Sequence, residues 1–352
     1  MSERAAVLPR RPLRYLSPST ILIGLAVLLV TMALAALLSG AVDLPPARVV
    51  VALTTFAADD AVRDPALAVI TVIRLPRLLL AISVGAALAV SGAAMQGLFR
   101  NPLADPSLIG VSGGAALGAV LIIVLATHVP LFGSIAALPI AASMGGMAAT
   151  AVVYRLGRGH GQTDVATVLL AGIAVNAIAG AGTGLLTFFA DDQELRSLTF
   201  WLMGSLGGAG WAQFGTVAPF LLLCTAALCL LGRPLNAFLL GEDVAHHLGY
   251  PVERLKGLTI LLCAVAVGAA VSVTGVIGFV GLVVPHLLRL AVGADHRLLL
   301  PASALLGASG LLMADTAART LVSPAELPIG ILTTLLGGPF FLYLLLRRRR
   351  VS

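Results

Sequence analysis

The residues able to do chemistry gather in a few places, and the densest is GEDVAHHLGYPVERLK, Gly241 to Lys256. Acids, bases and the adjacent His246 and His247 sit there in a chain that is otherwise greasy. A histidine pair is a candidate metal or haem ligand set. The same polarity also suits a surface that touches something in water. Cys224, Cys229 and Cys263 all fall in apolar runs, with no CxxC or Cys/His metal spacing, which predicts buried structural thiols. MGSLGG around Ser205 evokes a nucleophile, but no histidine or acid partner is evident, which argues against an intramembrane hydrolase. Lys256 is the only lysine, and Leu255 and Gly257 flank it. A phosphate-binding GxxxxGK[ST] loop therefore cannot form. Asp315 lies one helical turn before Arg319 and reads as a local ion pair or helix-end contact before it reads as a proton relay.

These groups must be positioned by elements that live in lipid. Hydrophobic residues make up 59% of the chain and charged residues 11%, with a mean hydropathy of +1.03. Soluble chains carry about 25% charged residues, so a solvated surface cannot be assembled here. Apolar runs long enough to cross a hydrocarbon core of about 30 Å recur along the chain. They predict helices near 20–39, 75–97, 107–127, 133–154, 164–189, 212–231, 257–275, 280–293, 298–318 and 328–346. The runs are continuous rather than alternating, which excludes a β-barrel. The first run is too long for a signal-peptide core and lacks a small-residue cleavage site, so it reads as an uncleaved span.

Orientation follows from the basic residues. With both termini in the cytoplasm, sixteen of the 22 lysines and arginines lie inside. Arg48, Arg63, Arg74, Arg77, Arg196 and Arg319 remain outside. The net charge of +6 thus marks a membrane surface rather than a nucleic-acid partner. The organisation expected is a cytoplasmic tail over 1–19, one membrane domain over 20–346 with a cytoplasmic loop at 232–256, and a cytoplasmic tail over 347–352.

NPLADPSLIGVSGGAALGAV and TGVIGFVGLVVPHLLRLAV are Gly/Pro-broken apolar segments at matching places in two five-span halves. Five spans per half makes the halves inverted, and paired breaks of this kind point to a transport pathway. The spans are nearly free of acids, which disfavours an ion-gradient carrier and favours a separate motor. A motor needs a place to push. Gly241–Lys256 reads as two short helices on the cytoplasmic face, GEDVAHHLG stopped by Gly249 and then PVERLKG opened by Pro251. That location takes the two histidines away from incoming substrate.

The chain resembles the FecCD-like permease family of type II ABC importers, which move iron–siderophores, haem or cobalamin. The resemblance rests on RLPRLLLAISVGAALAVSGAAMQGLFRNPLADPSLIGVSGGAALGA, FWLMGSLGGAGW, LGEDVAHHLGYPVERLK, GVIGFVGLVVPHLLRL, DHRLLLPASALLGASGLLMADTAAR and ELPIGILTTLLGGPFFLYLL, in family order. It implies an all-α polytopic membrane protein with about ten transmembrane helices in two inverted halves, the type II importer permease fold. It also implies a homodimer in a bacterial inner membrane that is not itself an enzyme. Two ATPase subunits carrying ATP and magnesium would serve it at the cytoplasmic face, and a periplasmic substrate-binding protein at the other. No cofactor or metal is expected on this chain.

By resemblance, Glu242, Ala245, His246, Leu248 and Gly249 would contact the ATPase. Arg74, Arg77 and Arg319 would dock the binding protein, or else serve as lipid-interface anchors. Asn176, Thr183 and Thr187 would line a translocation path along the dimer axis, or else pack helices. LRSLTFWLMGSLGGAGW looks more like haem-permitting members, which makes haem the expected cargo and a ferric siderophore or cobalamin the alternative. Of side chains able to bind haem iron, His128 and Met203 lie close to the outer mouth, and each reads first as structural. A stand-alone transporter driven by an ion gradient is the alternative of a different class.

Overall fold

The computed structural model of the chain describes residues 17–40, 44–54, 64–125, 137–159, 162–323 and 325–349. Arg63 and His128 lie outside them. Among the described residues, seven helices are long and apolar enough to cross a membrane. They are α1 (Pro18–Leu38), the continuous helix Val69–Leu98, α5 (Ala137–Gly157), α6 (Val165–Phe189), α8 (Trp211–Leu230), α11 (Val252–Thr274) and α13 (His296–Thr320). Three shorter apolar helices, α4 (Val111–Leu125), α12 (Val280–Val292) and α14 (Ile329–Arg349, apolar to Tyr343), occupy the remaining expected positions. Short helices α2 (Pro46–Thr54), α7 (Asp192–Leu202), α9 (Gly232–Leu239) and α10 (Glu242–His247) lie between them.

Local sequence starts these helices where polar side chains can take up orphan backbone donors. Ser17 accepts from Thr20 N with Pro18 at the first turn of α1, and Asp164 accepts from Thr167 N at α6. Asp191 and Glu194 form a reciprocal capping box on α7. The second span is longer than expected. A π-helical stretch, Val69–Arg74, runs directly into α3 (Leu75–Leu98). A two-residue antiparallel pair, Arg158–Gly159 with Gln162–Thr163, leads from α5 to α6 and has no hydrophobic alternation to announce it.

The breaks are present in both halves. A 3-10 turn, Pro106–Ile109, precedes α4, and an irregular stretch separates Thr274 from Val280. α12 has 13 residues, about 20 Å at 1.5 Å per residue, too short to cross alone. Phe279, which caps it, holds the left-handed conformation at φ 67°, a costly geometry for an aromatic residue. A cavity of about 340 Å³ lies between the two breaks, bordered by Asp105, Pro106, Ser107, Ile277, Phe279 and Gly281.

α3 is the central element, buried along nearly its whole length and packed against α8, α11, α12 and α13. Small residues permit the approach: a Cβ on Gly85 would lie 2.4 Å from the Gly307 carbonyl oxygen, and one on Gly307 2.4 Å from that of Gly85. α6 packs on α4, α5 and the 3-10 turn. Its other side, with Leu170, Ile173, Ile178, Leu185, Phe188 and Phe189, is exposed and apolar.

At the start of α13, Asp295 accepts from Asn236 Nδ2 of α9 at 2.6 Å and from Arg297 N at 2.9 Å. Partial burial works to raise its pKa, but these hydrogen bonds and the Arg297 charge outweigh it and hold the carboxyl below the usual range. A carboxylate lowered on folding adds stability that is complete above its unfolded value and lost as pH falls through the lowered one. The melting temperature of wild type should therefore exceed that of Asp295→Asn at neutral pH. The gap should close below about pH 4, as followed by thermal unfolding in detergent across pH.

Candidate functional site

Two polar clusters lie at opposite ends of the long helices. The first is built on α10, whose six residues bury only Ala245. Gly241 at φ 114° and Gly249 at φ 86° bracket it, conformations that a side chain would strain. Gly249 N donates to His246 O at 2.9 Å and Tyr250 N to Ala245 O at 3.1 Å, a Schellman ending that stops the helix where the glycine predicts. Val244, His246, His247, Leu248 and Gly249 are exposed. The two imidazoles are 6.3 Å apart at the ring centroids and nearly edge-on, and His247 Nδ1 lies 2.7 Å from its own helix carbonyl at Asp243. Among the described residues no group of three or more His, Cys, Asp or Glu gathers around them.

Beneath α10 lies Lys256, 2% exposed. Its Nζ donates to Glu242 Oε2 at 2.6 Å, to Glu253 Oε1 at 3.0 Å and to Thr163 O at 2.9 Å. Thr163 Oγ1 in turn donates to Glu253 Oε2 at 2.7 Å. All three ammonium donors are used, which is what allows a lysine to be buried at all. An open polar cleft of about 810 Å³ lies alongside, lined by Gln162, Asp243, His246 and Arg254 among others.

Of the residues expected at a partner surface, Ala245 lies inside, and Glu242 is half-buried and shared with Lys256. Ala245 is fully buried, because the amphipathic α10 turns its small residue inward against its support. The Glu242 carboxylate is held by Lys256. His246, Leu248 and Gly249 remain on the exposed side.

The second cluster joins α3, α13 and the loop before α14. Arg77 Nε donates to Asp315 Oδ1 and Oδ2 at 3.0 and 3.2 Å, and Nη2 to Oδ1 at 2.9 Å. The same guanidinium grips Glu326 in a two-pronged pair, Nη1 to Oε1 at 3.0 Å and Nη2 to Oε2 at 2.9 Å. Arg319 Nε lies 3.2 Å from Asp315 Oδ2, and its terminal nitrogens donate to Ser39 O and Ala36 O at 3.3 Å. Arg74 donates to Leu37 O. Arg74 and Arg319 thereby take up carbonyls that the end of α1 leaves without intrahelical donors.

All three arginines are engaged within the chain. Arg74 and Arg77 are 5% and 7% exposed, and the Arg319 side chain 9%. Burial so close to helix backbone demands internal partners, and the chain supplies them. The exposed group here is Glu326, whose side chain is 42% exposed and which the sequence reading did not single out. Asp315 forms the expected ion pair with Arg319 and a stronger one, unforeseen, with Arg77.

Asn176 belongs to helix packing. Its Nδ2 donates to Ser107 O at 3.0 Å, and a Cβ on Gly113 of α4 would lie 2.4 Å from its Oδ1. Thr183 shares that face with its hydroxyl buried, and Thr187 Oγ1 donates back to Thr183 O at 2.8 Å. Asn176 faces α4, whereas the open side of α6 is apolar. Helical spacing shows that three residues share a face. It does not show which neighbour the face meets.

Comparison with known proteins accords with this architecture. The profile of the FecCD transport family matches residues 25–347. The hemin transport system permease protein HmuU of Yersinia pestis is 56% identical over 279 residues, 79% of this chain and 83% of that one. A cobalamin import system permease protein, BtuC of Halobacterium salinarum, is 46% identical over 81% of this chain and 75% of its own. Among solved structures, an inward-facing metal-chelate type ABC transporter superposes with a TM-score of 0.81 at 36% identity, covering 94% of this chain and 99% of that one. With ten apolar helices among the described residues, seven of them span-length, and a family match over residues 25–347, this chain is a multi-pass membrane protein of the FecCD transport family.

Proposed function

We propose that the chain is the permease subunit of an ABC importer that carries an iron chelate, haem, from periplasm to cytoplasm across a bacterial inner membrane. The observation that carries the cargo assignment is the 56% identity to a hemin permease, against 46% to a cobalamin one. Both termini and α10 face the cytoplasm in this reading, as the arginine distribution requires. The chain has no nucleotide loop of its own, so ATP and magnesium belong to two separate ATPase subunits. These press on the exposed side of α10, at His246, Leu248 and Gly249. Arg74, Arg77 and Arg319 shape the periplasmic rim on which the binding protein sits, Arg77 and Arg319 through the network that holds Glu326 and Arg74 through the end of α1.

The wide apolar face of α6 supports a homodimer with the path between the two copies. Such a path suits a bulky ligand, because smooth apolar walls hold nothing tightly and so permit release. Against the gradient-driven alternative stands Asp315, the acid such a carrier would need in its spans. It is locked between two arginines.

The test is reconstitution with a candidate ATPase and a candidate binding protein from the same organism. Haem-loaded binding protein should stimulate ATP hydrolysis and haem uptake. Stimulation by corrinoid or ferric siderophore instead would reassign the cargo. Uptake driven by an ion gradient with no ATPase present would overturn the reading.

A further inference from the structure

The buried ammonium of Lys256 joins three elements that are remote in sequence. Glu242 is the first residue of α10, Glu253 lies in the first turn of α11, and Thr163 ends the short strand pair. Thr163 is followed at once by Asp164, the cap of α6, whose side chain accepts from Thr167 N at 2.9 Å. Asp164 N closes the other side of the turn by donating to Gly157 O at the end of α5, at 3.0 Å. One side chain therefore spans from α10 to the root of α6.

The need for this span follows from the size of α10. A six-residue helix has almost no stability of its own, since nucleation consumes most of its hydrogen bonds. It buries a single alanine, and positive-φ glycines bracket it. Left to itself it would move independently of the bundle when pushed. α6 meanwhile packs on α4, α5 and the 3-10 turn, and its root reaches α10 through the lysine. The contact is short and charge-assisted, with the lysine 3% exposed and the Glu242 and Glu253 carboxylates meeting it from the edge of the open cleft. Two carboxylates around one ammonium also make the arrangement specific. Loss of the cation leaves two acids facing each other with nothing between them.

We infer that Lys256 is the positioning residue that makes α10 and the root of α6 move as one piece, so that displacement of α10 becomes displacement of α6. The transport consequence rests on the permease reading above; the mechanical tie does not. An arginine would keep the charge but not the fit, because its planar fork cannot aim three donors at three acceptors arranged around a point.

The experiment has two arms. In the chain alone, with Cys224, Cys229 and Cys263 replaced by serine, nitroxides are placed by Gln162→Cys and His246→Cys, both exposed positions. Dipolar spectroscopy should give one narrow distance that broadens or splits in Lys256→Met. An unchanged narrow distance in Lys256→Met overturns the inference. Should that variant fail to fold, Glu242→Gln keeps the volume and removes one of the two negative charges, and the same broadening or its absence decides.

In the reconstituted assembly, Lys256→Met should leave basal ATP hydrolysis in place while substrate carried per ATP falls by about tenfold or more, as expected when a buried charge pair is broken. Lys256→Arg should recover part of that ratio. An equal fall in hydrolysis and transport would reduce Lys256 to a structural residue and overturn the inference. A wild-type assembly that shows no ATP-driven uptake defeats the permease reading, while the distance arm still decides the tie.

Discussion

Asp315→Asn should destabilise the protein by about 3–5 kcal/mol, the usual cost of removing one partner from a buried charge cluster. Asp315 is 1% exposed and stands between Arg77 and Arg319, both nearly as buried. Asparagine is nearly isosteric, so the packing survives and the loss is electrostatic: two guanidiniums are left with a neutral amide between them. Glu326 can compensate only in part, because it reaches Arg77 from the exposed side. Thermal unfolding in detergent checks the prediction, and a change below about 1 kcal/mol would place the cluster in the class of weak surface pairs. Replacing only Arg77 and Asp315 by apolar residues, Arg77→Met with Asp315→Leu, would not recover the loss, because Arg319 would keep a buried charge without its carboxylate. It follows that charge reversal at Arg77 cannot report on partner docking alone. Glu326→Gln is the cleaner probe of the rim, because it changes the exposed member and leaves Asp315 in place.

Gly92→Ala is expected to cost about 3 kcal/mol or more, the upper range for overpacking a tight core. The added Cβ would lie 1.8 Å from the Gly281 carbonyl oxygen and 2.5 Å from its carbon. These are backbone atoms and cannot rotate away, so α12 must shift bodily off α3. α12 begins at the strained Phe279 and ends after 13 residues at Gly293, and has little length over which to absorb a displacement. Gly24→Ala in α1 is the control. Nothing lies within 4 Å of its Cβ, so it should gain the helix propensity of about 1 kcal/mol that glycine forfeits. Melting temperatures of the two variants should move in opposite directions. Equal behaviour would mean that the α3–α12 contact is loose.

What could be read beforehand follows the strength of the local signal. Apolar runs near twenty residues admit little besides a membrane helix, and among the described residues an apolar helix stands at each of the ten expected positions, seven of them long enough to cross and three shorter. The breaks at Pro106 and at 275–279 were visible because glycine and proline act on their own backbone. So was the end of α10 at Gly249. The π-helical Val69–Arg74 was not, since an extra residue per turn leaves no mark on an apolar run. The ion pair between Asp315 and Arg319 was legible at one helical turn, but the pairing with Arg77 joins residues 238 apart in sequence.

The sequence by itself determined the class of protein, its spans, its broken segments, its lack of a nucleotide loop and the family to which it belongs. All of these depend on composition or on residues close together in the chain. Only the tertiary structure decided how individual polar groups are used. It turned Asn176 toward α4, drew three arginines inward to carboxylates and helix ends, and buried Ala245. In GEDVAHHLGYPVERLK it left the conspicuous histidines exposed and gave the structural role to the lysine. The physical reason is that a buried charge must be matched by partners in space, and those partners come from whichever helices packing brings alongside.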